Sequence, residues 1–415
     1  MHRSVTERLP RRVLYIQHAG CLGGSANSLR YLVEPMQAAG VDCVVALARP
    51  CRQLQEFYGA AGIRTVDAPD IVCWDHSTVA RRSLANPRHV VELCRVAARW
   101  RSSMRATLRL VDAVGPDLVH LNSMPLSSSA CALRESGVPF VWHVREPPPD
   151  QGMRTALIRS MMRAAPCCVF ITAYDKQQWV GDSPGRIIYN CVPDTWFERG
   201  REPPPNRPAA GPVRFAYLGG MAMSKGGDVL VRALRMLRGA GSRWECVMPG
   251  SLIEDRYRGR ERLLKRVARA FGVRSNAELL TRAYSRLSPA VQLLPVTTEI
   301  ARLLQTVDFV VFPAAVPHFP RPVIEAAALG LPAVGSDVGG VNECIVDRDT
   351  GLLCRPGDAG SLAAAIDEMI DNPALRRDMG SRAYDRAVAV NTLTAQHREV
   401  ARVYGEVIAS GKESA

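Results

Sequence analysis

Arg321-Pro-Val-Ile-Glu-Ala-Ala-Ala-Leu-Gly-Leu-Pro-Ala-Val-Gly-Ser-Asp-Val-Gly-Gly340 is the stretch that orders the rest of the chain. It predicts an apolar helix with one carboxylate, Glu325, near its start, then a short strand over 332–336, then a paired-glycine loop. A helix N-terminus gathers unpaired N–H groups and the positive end of the helix dipole, so it suits anionic ligands. A carboxylate placed there is suited to receive the hydroxyls of a sugar or ribose.

Working outward, the same alternation of short apolar strands and helices fills the chain. In the first half, strands are expected at 13–17, 41–48, 117–121, 138–143, 167–172 and 186–189, with a helix over 25–39. Residues 200–212, Gly-Arg-Glu-Pro-Pro-Pro-Asn-Arg-Pro-Ala-Ala-Gly-Pro, form the clearest linker, because proline suits neither a ladder nor a helix interior. The alternation then restarts, with strands at 213–218, 244–248, 291–294, 309–312 and 333–335 and helices from about 227 and over 361–371. Strands alternating with helices imply parallel sheets covered on both faces. The expected organisation is an α/β chain of two similar halves: 1–199, the linker, 213–390, and a last segment, 391–415, whose helix returns to the first half. Ligands of such sheets bind at the carboxyl ends of the strands, so the strand-to-helix loops should face a central cleft.

Composition excludes several classes. At 415 residues and 47% hydrophobic, the chain can build two or three cored domains. It has no apolar run long enough to span a bilayer, and its first residues lack the apolar core of a secretory leader. A cytoplasmic location is expected. The 12 cysteines show no metal-like spacing, so they read as reduced thiols. Net charge is +13, and only four of the 53 basic residues are lysines. Basic residues cluster in 81–109, which carries an amphipathic pattern, and again in 256–286. These faces are either solvated helix surfaces or contacts to an anionic membrane surface, which would place the protein peripherally at the inner membrane. Few aromatics interleave with the arginines, so nucleic acid is not an expected partner.

Five further local motifs bear on the chemistry, and three of them carry it. The loop Gly20-Cys-Leu-Gly23-Gly24-Ser25 follows the first strand and can bring backbone N–H groups to a phosphate. Its spacing is not that of a dinucleotide fingerprint. His143 ends a strand in Val141-Trp-His-Val-Arg-Glu146, with Arg145 and Glu146 placed to fix its tautomer or to touch a substrate. Tyr189-Asn190-Cys191-Val192-Pro193-Asp194 reads as a structural turn. Lys225 lies in Leu218-Gly-Gly220-Met-Ala-Met-Ser-Lys225-Gly-Gly227, where a point charge beside glycine amides makes a natural diphosphate clamp. Asp347-Arg-Asp349 has the form of a metal-binding pair but sits in a turn, so no metal is expected there.

Taken together, these motifs resemble those of the retaining GT-B glycosyltransferases of family 4, also called glycosyl transferases group 1. The resemblance runs from Val13 to about Ala389. It implies a GT-B fold: two Rossmann-like domains with parallel sheets facing a central cleft. It implies metal-independent transfer of a sugar, with no cofactor beyond the nucleotide-diphosphate sugar itself. The acceptor would be a hydroxyl on a glycan, a lipid-linked molecule or a small molecule. By residue, His143 and Lys225 match the family's catalytic positions. Gly23, Gly24, Gly220, Lys225, Arg321 and Glu325 match its donor site, with Glu325 on the ribose. Arg145, Glu146, His318 and Phe319 fall where sugar or acceptor contacts are expected. The chain departs from the family at three points. Gly220 replaces a phosphate-binding arginine. Pro317 replaces a sugar-binding glutamate. Pro320 replaces a glycine whose N–H donates, which proline cannot do. Two other readings share these residues: a GT-B nucleotide-sugar epimerase or hydrolase, and a non-catalytic nucleotide-sugar-binding relative.

Overall fold

The structure is a computed structural model that describes residues 9–75, 87–200, 211–238, 242–250, 275–297 and 299–413. Chain contacts divide it into two units: Met1–Pro193 with Val390–Ala415, and Asp194–Ala389. The division falls a few residues before the proline-rich segment, because Trp196 and Phe197 of the helix Asp194–Gly200 pack within the second unit, Phe197 against Tyr384. Most of the expected linker, 201–210, lies outside the described residues.

The first unit holds seven strands: β1 (Arg12–Gln17), β2 (Asp42–Leu47), β3 (Arg64–Asp67), β4 (Leu118–Asn122), β5 (Phe140–Val144), β6 (Cys168–Phe170) and β7 (Arg186–Ile187). They pair in the order β3-β2-β1-β4-β5-β6-β7, all parallel. Central strands such as Val13-Leu14-Tyr15-Ile16 are fully buried, as strands covered on both faces must be. One face carries α1 (Gly24–Ala38), α2 (Arg52–Gly59) and the C-terminal helix Leu393–Glu413. The other carries α3 (Pro87–Val114), α4 (Ser127–Ser136), α5 (Met153–Arg163) and α6 (Ala173–Val180).

The second unit opens with α7 (Asp194–Gly200) and a six-stranded parallel sheet: β8 (Val213–Ala216), β9 (Trp244–Met248), β10 (Val291–Leu293), β11 (Phe309–Phe312), β12 (Ala333–Ser336) and β13 (Gly351–Cys354). Its order is β10-β9-β8-β11-β12-β13. Helix α8 (Gly227–Leu234) and the helix Ala359–Asp371 bury Leu230, Leu234, Leu362 and Ile366 against Phe215, Trp244 and Phe309.

Two strands escape the sequence reading. β3 is a short edge whose four residues are exposed or half-buried, so it shows no apolar run. β13 opens on Gly351, which reads as a turn. A Cβ there would sit 2.2 Å from the Ala333 carbonyl oxygen of β12, so only glycine lets the two strands meet. In both sheets the strand order reverses once, between β1 and β4 and between β8 and β11. A crevice at the carboxyl ends of those strands is the ligand position such sheets offer.

Candidate functional site

In the second unit the expected donor residues gather at the ends of β8 and β11. After β8, Gly219 and Gly220 turn the chain, the latter at φ +61°. Gly219 has to be small, because a Cβ would strike the Tyr217 ring. That ring folds over it, and the Tyr217 hydroxyl donates to the Lys225 carbonyl oxygen at 3.2 Å. Lys225 closes a single 3-10 turn, and Gly226 follows at φ +74° as the entry to α8. A Cβ on Gly226 would lie 1.6 Å from the Pro313 carbonyl oxygen, so the Lys225 loop is pressed onto the end of β11. Ala315 N–H donates to the Ser224 carbonyl oxygen at 3.1 Å and fixes the contact from the other side.

The Lys225 ammonium is half-buried and has no hydrogen-bond or ion-pair partner among the described residues. Burial lowers its pKa. An ammonium desolvated without a partner is costly, and an arriving anion would relieve that cost. His318 lies nearby. Burial first and then the Lys225 charge lower its pKa to about 4, so it is neutral at physiological pH. Its ring stacks on Phe312, and its backbone N–H donates to the Gly339 carbonyl oxygen at 3.0 Å. Gly340, at φ +84°, would place a Cβ 2.6 Å from the His318 carbonyl oxygen, which explains the second glycine of the pair. Phe319 is buried.

Glu325 is placed differently from the sequence reading. The helix Arg321–Ala327 begins at Arg321, so Glu325 sits one turn in rather than at the N-terminus. The dipole therefore acts on it less, since that effect fades within the first turn. What faces it is Arg321, whose guanidinium lies 3.8 Å away at the i, i+4 spacing. Part of the positive charge expected of Arg321 is thus committed to Glu325. Burial outweighs the arginine and raises the Glu325 pKa to about 7.

In the first unit, β1 and β4 end in Gln17 and Asn122. The Asn122 amide donates to Gln17 Oε1 at 2.5 Å, and its Oδ1 accepts from Arg145 Nε at 2.6 Å. Arg145 Nη1 donates to Asn190 Oδ1 at 2.8 Å. Asn190 is structural, as expected: its carbonyl also receives the Asn391 amide at the start of the returning C-terminal segment. His143 on β5 is fully buried, and neither ring nitrogen has a hydrogen-bond partner among the described residues. Arg145 and Glu146 therefore do not fix its tautomer. Arg145 is spent on two asparagines, and Glu146 accepts from Ser123 Oγ at 2.5 Å. Burial, with Arg145 and His120 adding, holds the His143 pKa well below its ordinary value.

The sequence reading missed what lies behind His143. His120, on β4, meets its ring edge-on at 5.3 Å, and His120 Nδ1 is 2.8 Å from the Tyr404 hydroxyl. Tyr404 comes from the C-terminal helix, with no local signal to link it to β4. His18, just past β1, contacts the Asn122 carbonyl oxygen through Nδ1 at 2.7 Å.

Gly23 and Gly24 begin α1. A Cβ at either meets nothing within 4 Å, so packing within the chain does not demand glycine there. Asp347 and Asp349, the formal metal pair, serve the fold: Asp347 Oδ1 accepts from Leu353 N–H at 2.8 Å, and Asp349 pairs with Arg382 at 2.7 Å.

Residues 199–386 match the family model described as glycosyl transferases group 1, and residues 23–183 match that of the glycosyl transferase 4-like domain. Together the two glycosyltransferase models cover most of the chain, one on each half. The chain is 30% identical to the glycogen synthase of Mycobacterium tuberculosis over 196 residues, 46% of this chain and 43% of that protein. It is 37% identical to the D-inositol 3-phosphate glycosyltransferase of Pseudarthrobacter chlorophenolicus over 125 residues, 28% of this chain and 30% of that one. The matches thus span less than half the length of these curated relatives. Anabaena HepE, solved in complex with UDP, superposes with a TM-score of 0.72 at 16% identity, covering 95% of this chain and all of that one, 100%. Sucrose-phosphate synthase of Thermosynechococcus elongatus gives 0.69 at 19% identity, covering 96% and 100%. The chain has the GT-B fold.

Proposed function

We propose that the protein transfers a sugar from a nucleoside diphosphate sugar to a hydroxyl acceptor, with retention at the anomeric carbon and without a metal ion. The observation that carries this reading is the half-buried, unpartnered Lys225 ammonium, set among glycine turns beside neutral His318 at the end of β8. That loop offers a fixed point charge and backbone amides to a diphosphate. Glu325 takes the ribose hydroxyls once ionised, and Arg321 holds it in place. His318 and Phe319 stand in for the missing sugar-binding glutamate at Pro317.

In the reaction, the bond from the anomeric carbon to the phosphate oxygen breaks, and Lys225 stabilises the charge growing on the leaving diphosphate. The acceptor oxygen bonds to the same face of the sugar and passes its proton to that phosphate. No protein nucleophile is used. His143, at the end of β5, is assigned to sugar or acceptor contact in the first unit, while Arg145 and Glu146 hold its surroundings through Asn122, Asn190 and Ser123. UDP in Anabaena HepE makes a uridine nucleotide the first donor to test.

The test is a panel of nucleotide sugars with a hydroxyl-acceptor library, followed by product mass analysis and anomeric NMR. A glycoside of unchanged anomeric configuration is expected from at least one donor. An inverted product, or donor epimerised with no transfer, would replace this reading.

A further inference from the structure

Helices α3, α4 and α5 form one layer on a single face of the first sheet, each packed on the next. Two features of this layer stand out. Across the three helices, arginines outnumber carboxylates ten to three, and α5 carries three arginines and no acid. On α3, Arg101, Arg105 and Arg109 are exposed one turn apart, a single basic stripe. On α5, two large apolar side chains also lie one turn apart in the open: Met153 is 88% exposed and Leu157 is 49% exposed. They begin a stripe that continues through Ser160 and Met161 into a groove of about 190 Å3 between α4 and α5, walled by Phe140 and Arg134. Scattered exposed apolar residues are ordinary, but a paired apolar stripe on an arginine-rich layer is not.

The geometry points to this layer docking on an anionic lipid bilayer, with Met153 and Leu157 entering the headgroup region and the arginines of α3, α4 and α5 facing lipid phosphates. Charge selects the occupant: apolar contact alone would suit many partners, whereas an arginine-rich rim around a small apolar insertion matches an acidic membrane surface. Position supports it. α5 follows directly on the loop carrying Arg145 and Glu146 from the end of β5, so the docked edge lies beside the His143 cluster of the same unit. A lipid-linked hydroxyl acceptor would then be held near those residues.

The test reads binding and not transfer, so its outcome is separate from that of the donor chemistry. The whole chain is sedimented with sucrose-loaded vesicles of phosphatidylcholine, with or without about 30% phosphatidylglycerol. Wild type is expected to pellet with the acidic vesicles only, and less at high salt. M153S/L157S is expected to bind about tenfold more weakly, R101Q/R105Q/R109Q to lose the preference for acidic lipid, and M153L/L157M to bind as wild type. All these side chains are exposed, and matching melting temperatures would show the fold is intact. Three results would overturn the inference: wild type remaining in the supernatant, M153S/L157S pelleting as wild type, or a wild-type dimer that M153S/L157S turns into a monomer, which would assign the surface to a second copy.

Discussion

Glu325 shows how one side chain can be read correctly in kind and wrongly in setting. Its carboxylate is where a ribose contact is expected, but its surroundings raise its pKa to about 7. Donor binding that uses the ionised carboxylate should therefore strengthen as pH rises from 6 to 8, while the diphosphate of a nucleotide sugar, being a diester, does not titrate. Calorimetric titration across that range should show the trend in wild type and a flat profile in Glu325→Gln. A flat wild-type profile would remove Glu325 from the donor site. His143 was legible as a strand-end histidine, yet not as a fully buried one whose two ring nitrogens lack hydrogen-bond partners among the described residues. His120 and Tyr404 were illegible: they meet across 284 positions of sequence, and such a pairing exists only after folding.

At the scale of elements, apolar runs bounded by glycine and proline placed most strands, because buried parallel strands are apolar almost throughout. What failed was β3, an edge with polar neighbours, and β13, where the glycine needed for close strand approach imitates a turn. The Lys225 loop tests the packing argument most sharply. Gly226 needs both positive φ and an absent Cβ, so Gly226→Ala should cost at least about 2 kcal/mol through strain and overlap with the Pro313 carbonyl. Thermal unfolding should fall by several degrees, and donor affinity should fall with it as Lys225 is displaced. A variant as stable as wild type would mean the loop is not held against β11.

For the molecule as a whole, its buried titrating groups set a preference for neutral pH. His120 and His143 are depressed by burial, His120 to about 3, so the unfolded chain takes up protons below pH 6.5 that the fold refuses. Each then removes about 1.4 kcal/mol of stability per pH unit on acidification. His318 acts in the same direction. Glu325, raised from 4.5 to about 7, acts the opposite way over that window, since the fold keeps a proton the unfolded chain releases. Three groups against one should lower the melting temperature at pH 5.5 relative to pH 7.5, and an unchanged or higher value would contradict these burials. The central claim, that this chain holds a nucleotide diphosphate on Lys225, is tested most directly by titrating UDP-glucose into wild type and Lys225→Ala. A charge-assisted contact of this kind contributes about 1.5–3 kcal/mol, so the variant should bind roughly tenfold to a hundredfold more weakly with an unchanged melting temperature. Equal affinity in the two proteins would contradict the account.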